Sequence, residues 1–506
     1  MDANTIPSVL DRAARLFPER EAVVDGPVRW TFAEYTEQVR RSAAAMIASG
    51  IEPGDRVAVW APNGHRWLVA ALGAVTAGAV LVPVNTRYKA DEAHWILSKS
   101  GARLLVVENG FLGNDYLEML RSTGTADALP IVDLSDAPGK ATPWAEFIKR
   151  SVPAEVVNKR AAAVAETDVS DMFFTSGTTG RPKGVLTTHE QTIRVFDAWA
   201  TGVGLRTGDR YLLVNPMFHT FGYKAGIIAC LLLGATLVSQ PVFDPATSLR
   251  LIEDERITVL PGPPTLYASL LNDPDRAGRD LGSLRLAVTG AAVVPAPLVE
   301  RMREELFPVV LVAYGLTESC GTVTICDPKD DPVTLSQTVG RPIPGVEVRI
   351  AETGEVLVRG YNVMLGYFED PEATAQAIDA DGWLHTGDIG RFDETGNLRI
   401  TDRLKDMYVV GGFNVYPAEV EQAIARHEGV SEVAVIGVAD ERLGEVGHAY
   451  VIPRHGATLD ETAIVEFCRE RLANFKVPRS VSIVTELPRN ASGKVLKYQL
   501  RTRSTA

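Results

Sequence analysis

The run WLVAALGAVTAGAVLVPV, from Trp67 to Val84, constrains the fold more than any other stretch, because it is nearly long enough to cross a bilayer as one helix. Gly78 falls where a helix can stop, and the β-branched AVLVPV around and after it suits a buried strand, so the run divides into a helix and a strand. GIIACLLLGATLVS, residues 226–239, divides in the same way. The chain is therefore predicted to have no membrane span. Shorter apolar segments, RVAVWAP, LLVV, ITVLPG and RLAVTGAA, alternate with helical stretches, which predicts a layered α/β fold. The N-terminal MDANTIPSVLDRAARLF has no basic segment followed by an apolar one, so no secretory signal is read and the cytoplasm is the predicted location.

A chain of 506 residues exceeds what one core usually serves, so at least two domains are expected. From about residue 340 the texture becomes short strands with turn signals, GVEVRI, GEVLVRG and DETGNLRITDR. After DRLKD it becomes a compact α+β pattern, with YPAEVEQAIARH and DETAIVEFCRERLA as helices and VSEVAVIGV, HAYVIPR and SVSIV as strands. The boundary is drawn at Asp402 to Lys405, giving domains 1–402 and 403–506. Acidic residues outnumber basic ones, 64 to 51, and the formal charge of −13 argues against a nucleic-acid partner. Cys230, Cys320, Cys326 and Cys468 show neither metal-binding spacing nor a disulfide framework, which fits inert thiols in a reducing compartment. The sequence leaves the oligomeric state open.

The loop TSGTTGRPKG, residues 175–184, follows the apolar run MFF and combines glycines, four hydroxyl side chains and two cations. Glycines let a backbone turn sharply and present N–H groups, so this composition suits a phosphate. A Walker-type loop requires Gly-Lys followed by Ser or Thr, but Lys183 stands between Pro182 and Gly184. PRNASGKV, residues 488–495, ends in Gly-Lys-Val and fails the same test. A P-loop NTPase is not the reading.

Five segments in order, FTSGTTGRPKGV, AYGLTES, GWLHTGDIG, ITDRLKDMYVVGGFNVYPAEVE and LPRNASGKV, resemble the signatures of the ANL superfamily of adenylate-forming enzymes. The resemblance implies a large multi-subdomain N-terminal adenylation domain with a small mobile α+β C-terminal domain, and ATP, Mg2+ and CoA as cofactors. By it, Thr175, Ser176, Gly177, Thr178, Thr179, Gly180, Arg181, Pro182 and Lys183 form the loop that grips the β- and γ-phosphates. Tyr314 lies against adenine, Gly315 and Leu316 belong to the same ATP-binding motif, and Gly290, Ala291 and Ala292 form the adenine-side wall. Thr317 bonds the α-phosphate and Glu318 holds magnesium, a hard cation suited to one carboxylate plus phosphate oxygens. Asp388, an acceptor-only carboxylate, receives the ribose hydroxyls together with Arg403.

His219, in NPMFHTFGY, matches the histidine at the carboxylate end of the acyl tunnel, where it orients the acid or gates the tunnel; a satisfied core histidine is the plainer alternative. Lys494 is implied as the catalytic cation of adenylation, and Lys405 as the hinge about which the small domain turns. Gly411, Gly412 and Phe413 then meet the pantetheine arm of CoA. The C-terminal lysine of the family is also a target of lysine acetyltransferases.

FGYKAGIIACLLLGATL, ITVLPGPPTLYASLL and AVTGAAVVPAPLVERM extend the resemblance to bacterial CoA ligases acting on a hexahydroindanedione propanoate, the fragment carrying steroid rings C and D. The expected activity is thus an ATP-dependent acid:CoA ligase of sterol catabolism. A medium-chain fatty acyl-CoA ligase, an acyl-AMP ligase serving a carrier protein, an amino-acid adenylation domain and a non-catalytic nucleotide-binding regulator are the alternatives. TFGYKAG lacks the aspartate that would meet an ammonium, and Glu318, Asp388, Arg403 and Lys494 are all present. Lys224 in FGYKAG has two readings: a tunnel cation that bonds a ketone of the substrate, or a surface lysine whose stem covers apolar atoms.

Overall fold

A computed structural model describes residues 4–125, 129–137, 139–175, 181–290, 294–403, 406–410, 413–440, 442–472, 474–490 and 494–504, with only the backbone at 402–403, 413–414 and 502–504. Helix His65–Thr76 is apolar nearly all round because it is buried nearly all round, from Trp67 to Thr76. Gly78 then takes φ +82°, which a side chain would strain, and the chain re-enters as strand Val80–Pro83, buried at every position. Among the described residues no helix is long and apolar enough to cross a membrane.

The second apolar run also turns from helix to strand, at Gly234 with φ +69°, and continues as strand Thr236–Ser239. Its helical part differs from the plain α-helix that the pattern suggests: Tyr223–Ile228 is a π-helix that passes into helix Ala229–Leu233. A Cβ on Gly222 would lie 2.0 Å from the Pro216 carbonyl oxygen, so only glycine lets the helix start this close to the preceding loop.

Two large sheets form the N-terminal part. In one, the parallel strands Val169–Thr175, Val80–Pro83, Arg56–Trp60, Ala102–Val107, Ile131–Asp133 and Thr142–Pro143 are extended at one edge by antiparallel Lys183–Thr188 and Gly366–Tyr367. In the other, parallel strands Val309–Tyr314, Leu286–Gly290, Val259–Pro261, Arg210–Leu213, Thr236–Ser239 and Glu21–Asp25 carry short antiparallel strands at both ends. The main core joins Val59 of the first sheet and Leu311 of the second through the helix residues Trp67, Phe196 and Tyr223.

The strand-rich texture after residue 340 corresponds to a four-stranded antiparallel sheet of Val346–Ile350, Glu355–Gly360, Leu384–Phe392 and Leu398–Arg403. Beyond it, Tyr408–Val410, Phe413–Val415, Val430–Asp440, Gly444–Pro453 and Ser480–Ile483 form a separate sheet packed by helices Pro417–Ile424 and Glu461–Arg469. Two apolar clusters of this unit draw only on residues 408–500, which gives the small domain a core of its own. All four cysteines are buried and free.

Candidate functional site

Strands Val169–Thr175 and Lys183–Thr188 pair antiparallel with Thr175 opposite Lys183, so the two ends of the glycine-rich loop are fixed side by side. Ser176, Gly177, Thr178, Thr179 and Gly180 lie outside the described residues. The returning limb rests on aromatic rings. The Arg181 guanidinium lies 4.3 Å from the centre of the Trp95 ring, the Trp95 indole N–H donates to the Pro182 carbonyl at 3.1 Å, and Lys183 Nζ lies 5.0 Å from the centre of the Tyr367 ring.

Opposite Thr175 stands the short turn Thr317–Ser319. One oxygen of Glu318, Oε1, accepts from the Thr175 hydroxyl at 3.3 Å and the Tyr367 hydroxyl at 3.0 Å. The Glu318 carbonyl accepts the Met364 N–H at 2.9 Å, and the Ser319 hydroxyl receives the Leu316 N–H at 3.1 Å, which fixes the turn. A Cβ on Gly315 would lie 2.2 Å from the Gly321 carbonyl oxygen, so the turn folds back on a glycine that cannot be replaced cheaply. Among the described residues no group of three or more His, Cys, Asp or Glu could hold a metal by itself. A single carboxylate with one oxygen bound by neutral donors fits magnesium shared with phosphate oxygens.

Tyr314 ends strand Val309–Tyr314, and its hydroxyl donates to Asp388 Oδ2 at 2.6 Å, a charge-assisted bond that ties the AYGLTES and HTGD segments together. Asp388 is 2% exposed and pairs in register with Arg403. The Arg403 side chain is outside the described set. Glu355 braces the preceding turn, receiving the Gly387 N–H at 2.9 Å and contacting His385 Nδ1 at 2.9 Å. A Cβ on Gly290 would lie 2.4 Å from the Ala313 carbonyl oxygen, so this strand end approaches its neighbour closely; Ala291 and Ala292 lie outside the described residues.

His219 caps the turn Thr220–Gly222, its Nδ1 accepting the Phe221 N–H at 3.3 Å. Burial lowers its pKa from 6.5 to about 4, so the ring is neutral at pH 7. With Nδ1 accepting, that hydrogen bond assigns the ring proton to Nε2 as a donor.

Lys224 corrects both of its readings. It is fully buried, not a surface lysine, and its ammonium lies 3.0 Å from Asp171 Oδ1, also fully buried. It donates to Thr187 Oγ1 at 2.7 Å and stands 3.3 Å from Cys320 Sγ. Burial alone would lower its pKa, but the charges and hydrogen bonds of Asp171 and Cys320 together outweigh that and raise it, so the ammonium stays charged. Asp171, Thr187 and Cys320 match its three donors and Asp171 supplies its counter-charge, which leaves no donor for a substrate ketone.

In the small domain, the Asn490 N–H donates to the Lys494 carbonyl at 2.8 Å and the Lys494 N–H to Asn490 Oδ1 at 2.8 Å, closing the loop at its base. Val410 pairs with Phe413 across the strands flanking 411–412. Gly411, Gly412 and Lys405 lie outside the described residues, as does the side chain of Phe413.

Thr175, Lys183 and Glu318 thus gather in one cluster, and Tyr314 with Asp388 in a second reached through the same Tyr314–Ser319 segment. Trp95 and Tyr367 were not singled out in the sequence. Their rings meet the loop only across long separations, and neither DEAHWILSK nor GYFEDPEAT carries a local sign of that contact.

Residues 10–368 match the family described as AMP-binding enzyme, and residues 419–494 match AMP-binding enzyme C-terminal domain. The chain is 56% identical over 508 residues, covering 98% of each chain, to a protein of Rhodococcus jostii named as a 7a-methyl-1,5-dioxo-octahydro-indenyl propanoyl:CoA ligase. A Mycobacterium tuberculosis protein of the same name is 56% identical over 502 residues, with 99% of each covered. Among solved structures, an anthranilate CoA ligase, AuaEII, in complex with anthranoyl-AMP superposes with TM-score 0.88 at 28% identity, covering 99% of this chain and 97% of that one. The chain belongs to the AMP-binding enzyme family, within the ANL superfamily of adenylate-forming enzymes, and is an AMP-forming acid:thiol ligase.

Proposed function

We propose that this ligase converts a steroid-derived bicyclic propanoate, a hexahydroindanedione propanoate, into its CoA thioester in sterol catabolism. The observation that carries the substrate is the 56% identity, sustained along nearly the whole chain, to two ligases named for that acyl group. Fold alone would not carry it.

A carboxylate does not acylate a thiol unaided, because oxide is a poor leaving group. Attack of the carboxylate on the α-phosphorus of ATP forms an acyl adenylate and releases pyrophosphate; attack of the CoA thiol on that acyl carbon then releases AMP. In the first step His219 offers its Nε2 proton to orient the acid, and Thr317 bonds the α-phosphate. Ser176, Gly177, Thr178, Thr179 and Gly180, continued by Arg181, Pro182 and Lys183, hold the departing phosphates from the base set by Thr175. Glu318 would hold magnesium, whose charge would offset that of the triphosphate. Tyr314 takes adenine with Gly315 and Leu316 of the same motif, Gly290, Ala291 and Ala292 form the adenine-side wall, and Asp388 and Arg403 take the ribose hydroxyls.

Lys494 neutralises the charge that builds between carboxylate and phosphate in a closed, dry site. For the second step the small domain, residues 403–506, turns about Lys405, withdraws Lys494 and brings Gly411, Gly412 and Phe413 to the pantetheine arm. Acetylation of Lys494 by a lysine acetyltransferase would erase its charge and stop the first step. The cytoplasm, which supplies ATP and CoA, is the proposed location. The experiment is a panel of acids assayed for CoA-dependent AMP formation: the bicyclic propanoate should give the highest kcat/KM, and a medium-chain fatty acid outperforming it would overturn the substrate.

A further inference from the structure

Two hydroxyls converge on one oxygen of Glu318 and, among the described residues, none meets the other. Oε1 takes both the Thr175 and the Tyr367 hydrogen bonds, at 3.3 and 3.0 Å. A carboxylate oxygen carries two lone pairs, so Oε1 is satisfied while Oε2 keeps its own for another partner. Both donors are neutral, which leaves the full negative charge on the group. A nearby cation is kept off it: Lys183 Nζ lies over the Tyr367 ring, 5.0 Å from its centre, and forms no ion pair with Glu318.

The backbone fixes Tyr367 for this contact. Strand Gly366–Tyr367 pairs antiparallel with the strand leaving the phosphate loop, Tyr367 opposite Val185. The Tyr367 N–H donates to Thr374 Oγ1 at 2.9 Å, and that hydroxyl donates to the Asp370 carbonyl at 2.8 Å. Gly366 takes φ +145°, and a Cβ there would lie 2.8 Å from Thr374 Cγ2, so the close approach that seats Tyr367 requires glycine.

We propose that Tyr367 is a positioning residue of the adenylation step: its hydroxyl, with that of Thr175, locks Oε1 and leaves Oε2 as the oxygen for magnesium, while its ring holds Lys183 away from the carboxylate. The inference rests on Glu318 being the magnesium carboxylate. Tyr367→Phe keeps the ring and removes only the hydroxyl.

The test is the Mg2+ concentration giving half-maximal pyrophosphate release at fixed ATP, measured on the full chain beside the KM for the acid and the unfolding midpoint. A hydrogen bond to a charged group predicts an increase of about tenfold in that Mg2+ concentration for Tyr367→Phe, with the acid KM unchanged and the midpoint moved by no more than about 2 °C. Glu318→Gln should shift it further, and adding Tyr367→Phe to Glu318→Gln should change nothing more, because the two act through one carboxylate. If Glu318→Gln shifts the Mg2+ requirement and Tyr367→Phe does not, or if Tyr367→Phe moves the acid KM equally or lowers the midpoint strongly, Tyr367 is only structural and the inference fails. If neither variant shifts it, the reading of Glu318 itself is what fails.

Discussion

Asp171 and Thr175 lie four residues apart on one strand, yet the charged groups they serve are treated in opposite ways. Asp171 is fully buried against Lys224, with hydroxyls of Ser170, Thr187 and Thr192 donating to the same carboxylate. Nothing is left for a ligand. Glu318, bonded by Thr175, is only part-buried and, among the described residues, has no cation paired to it and is engaged on one oxygen. The first arrangement is closed and ties together strands on both sides of the glycine-rich loop, the π-helix after His219 and, through Cys320, the end of the Glu318 turn. The second is open. A charge that the fold neutralises completely reports on structure, and one that it orients but leaves unneutralised reports on chemistry.

The largest expected effect attacks the closed pair. Lys224→Met leaves Asp171 buried without a counter-charge and should cost about 3 to 5 kcal/mol of stability, read as a fall in the unfolding midpoint. Asp171→Asn combined with Lys224→Met should recover much of that loss, because no buried charge then remains. Failure of the double variant to recover would mean that the pair is more than a matched charge.

Next in size is Lys494→Ala, which removes one charge-stabilising contact and should slow adenylate formation about a hundred- to a thousandfold, or roughly 3 to 4 kcal/mol. Thioester formation from supplied acyl adenylate should survive. Gly412→Leu should reverse the pattern, sparing pyrophosphate release while blocking the thiol step. Loss of both steps in Lys494→Ala would break the division of labour between the two domains.

Smaller still is the pH response of the buried rings. Burial lowers the pKa of His189 and His219 from 6.5 to about 4 in each case, so the unfolded chain binds more protons than the folded one between those values. Their contribution to stability is present above pH 6.5 and lost as pH falls towards 4. Replacing His219 by Gln should flatten the fall in unfolding midpoint between pH 6.5 and 4, while an unchanged slope would mean that His219 titrates normally.

Much of the fold was legible because its signals are local. Gly78 and Gly234 mark where apolar helices become strands, and the turn-rich segments after residue 340 announce an antiparallel sheet. The glycine-rich loop, the Glu318 turn and Asp388 were legible as motifs, and the structure gathers their described residues into two adjoining clusters. The partners of those residues were not. Asp171 and Lys224 are 53 positions apart and Glu318 and Tyr367 are 49, distances over which no periodicity in one sequence carries information. Lys224 misled for that reason: a lone cation in an apolar segment suggests either an exposed stem or an external partner, whereas its partner is supplied by another strand. The π-helix was missed because its spacing of apolar residues differs little from that of an α-helix over six positions.

The contrast between closed and open charges is tested most directly by measuring unfolding midpoint and pyrophosphate release per folded molecule side by side, in Asp171→Asn with Lys224→Met and in Glu318→Gln. The double variant should alter stability while keeping adenylation within about threefold, and Glu318→Gln should keep its midpoint while adenylation falls about a hundredfold or more. A stable double variant that loses adenylation as severely as Glu318→Gln, or a Glu318→Gln enzyme that unfolds early yet adenylates normally, would contradict the assignment of structure to one carboxylate and chemistry to the other.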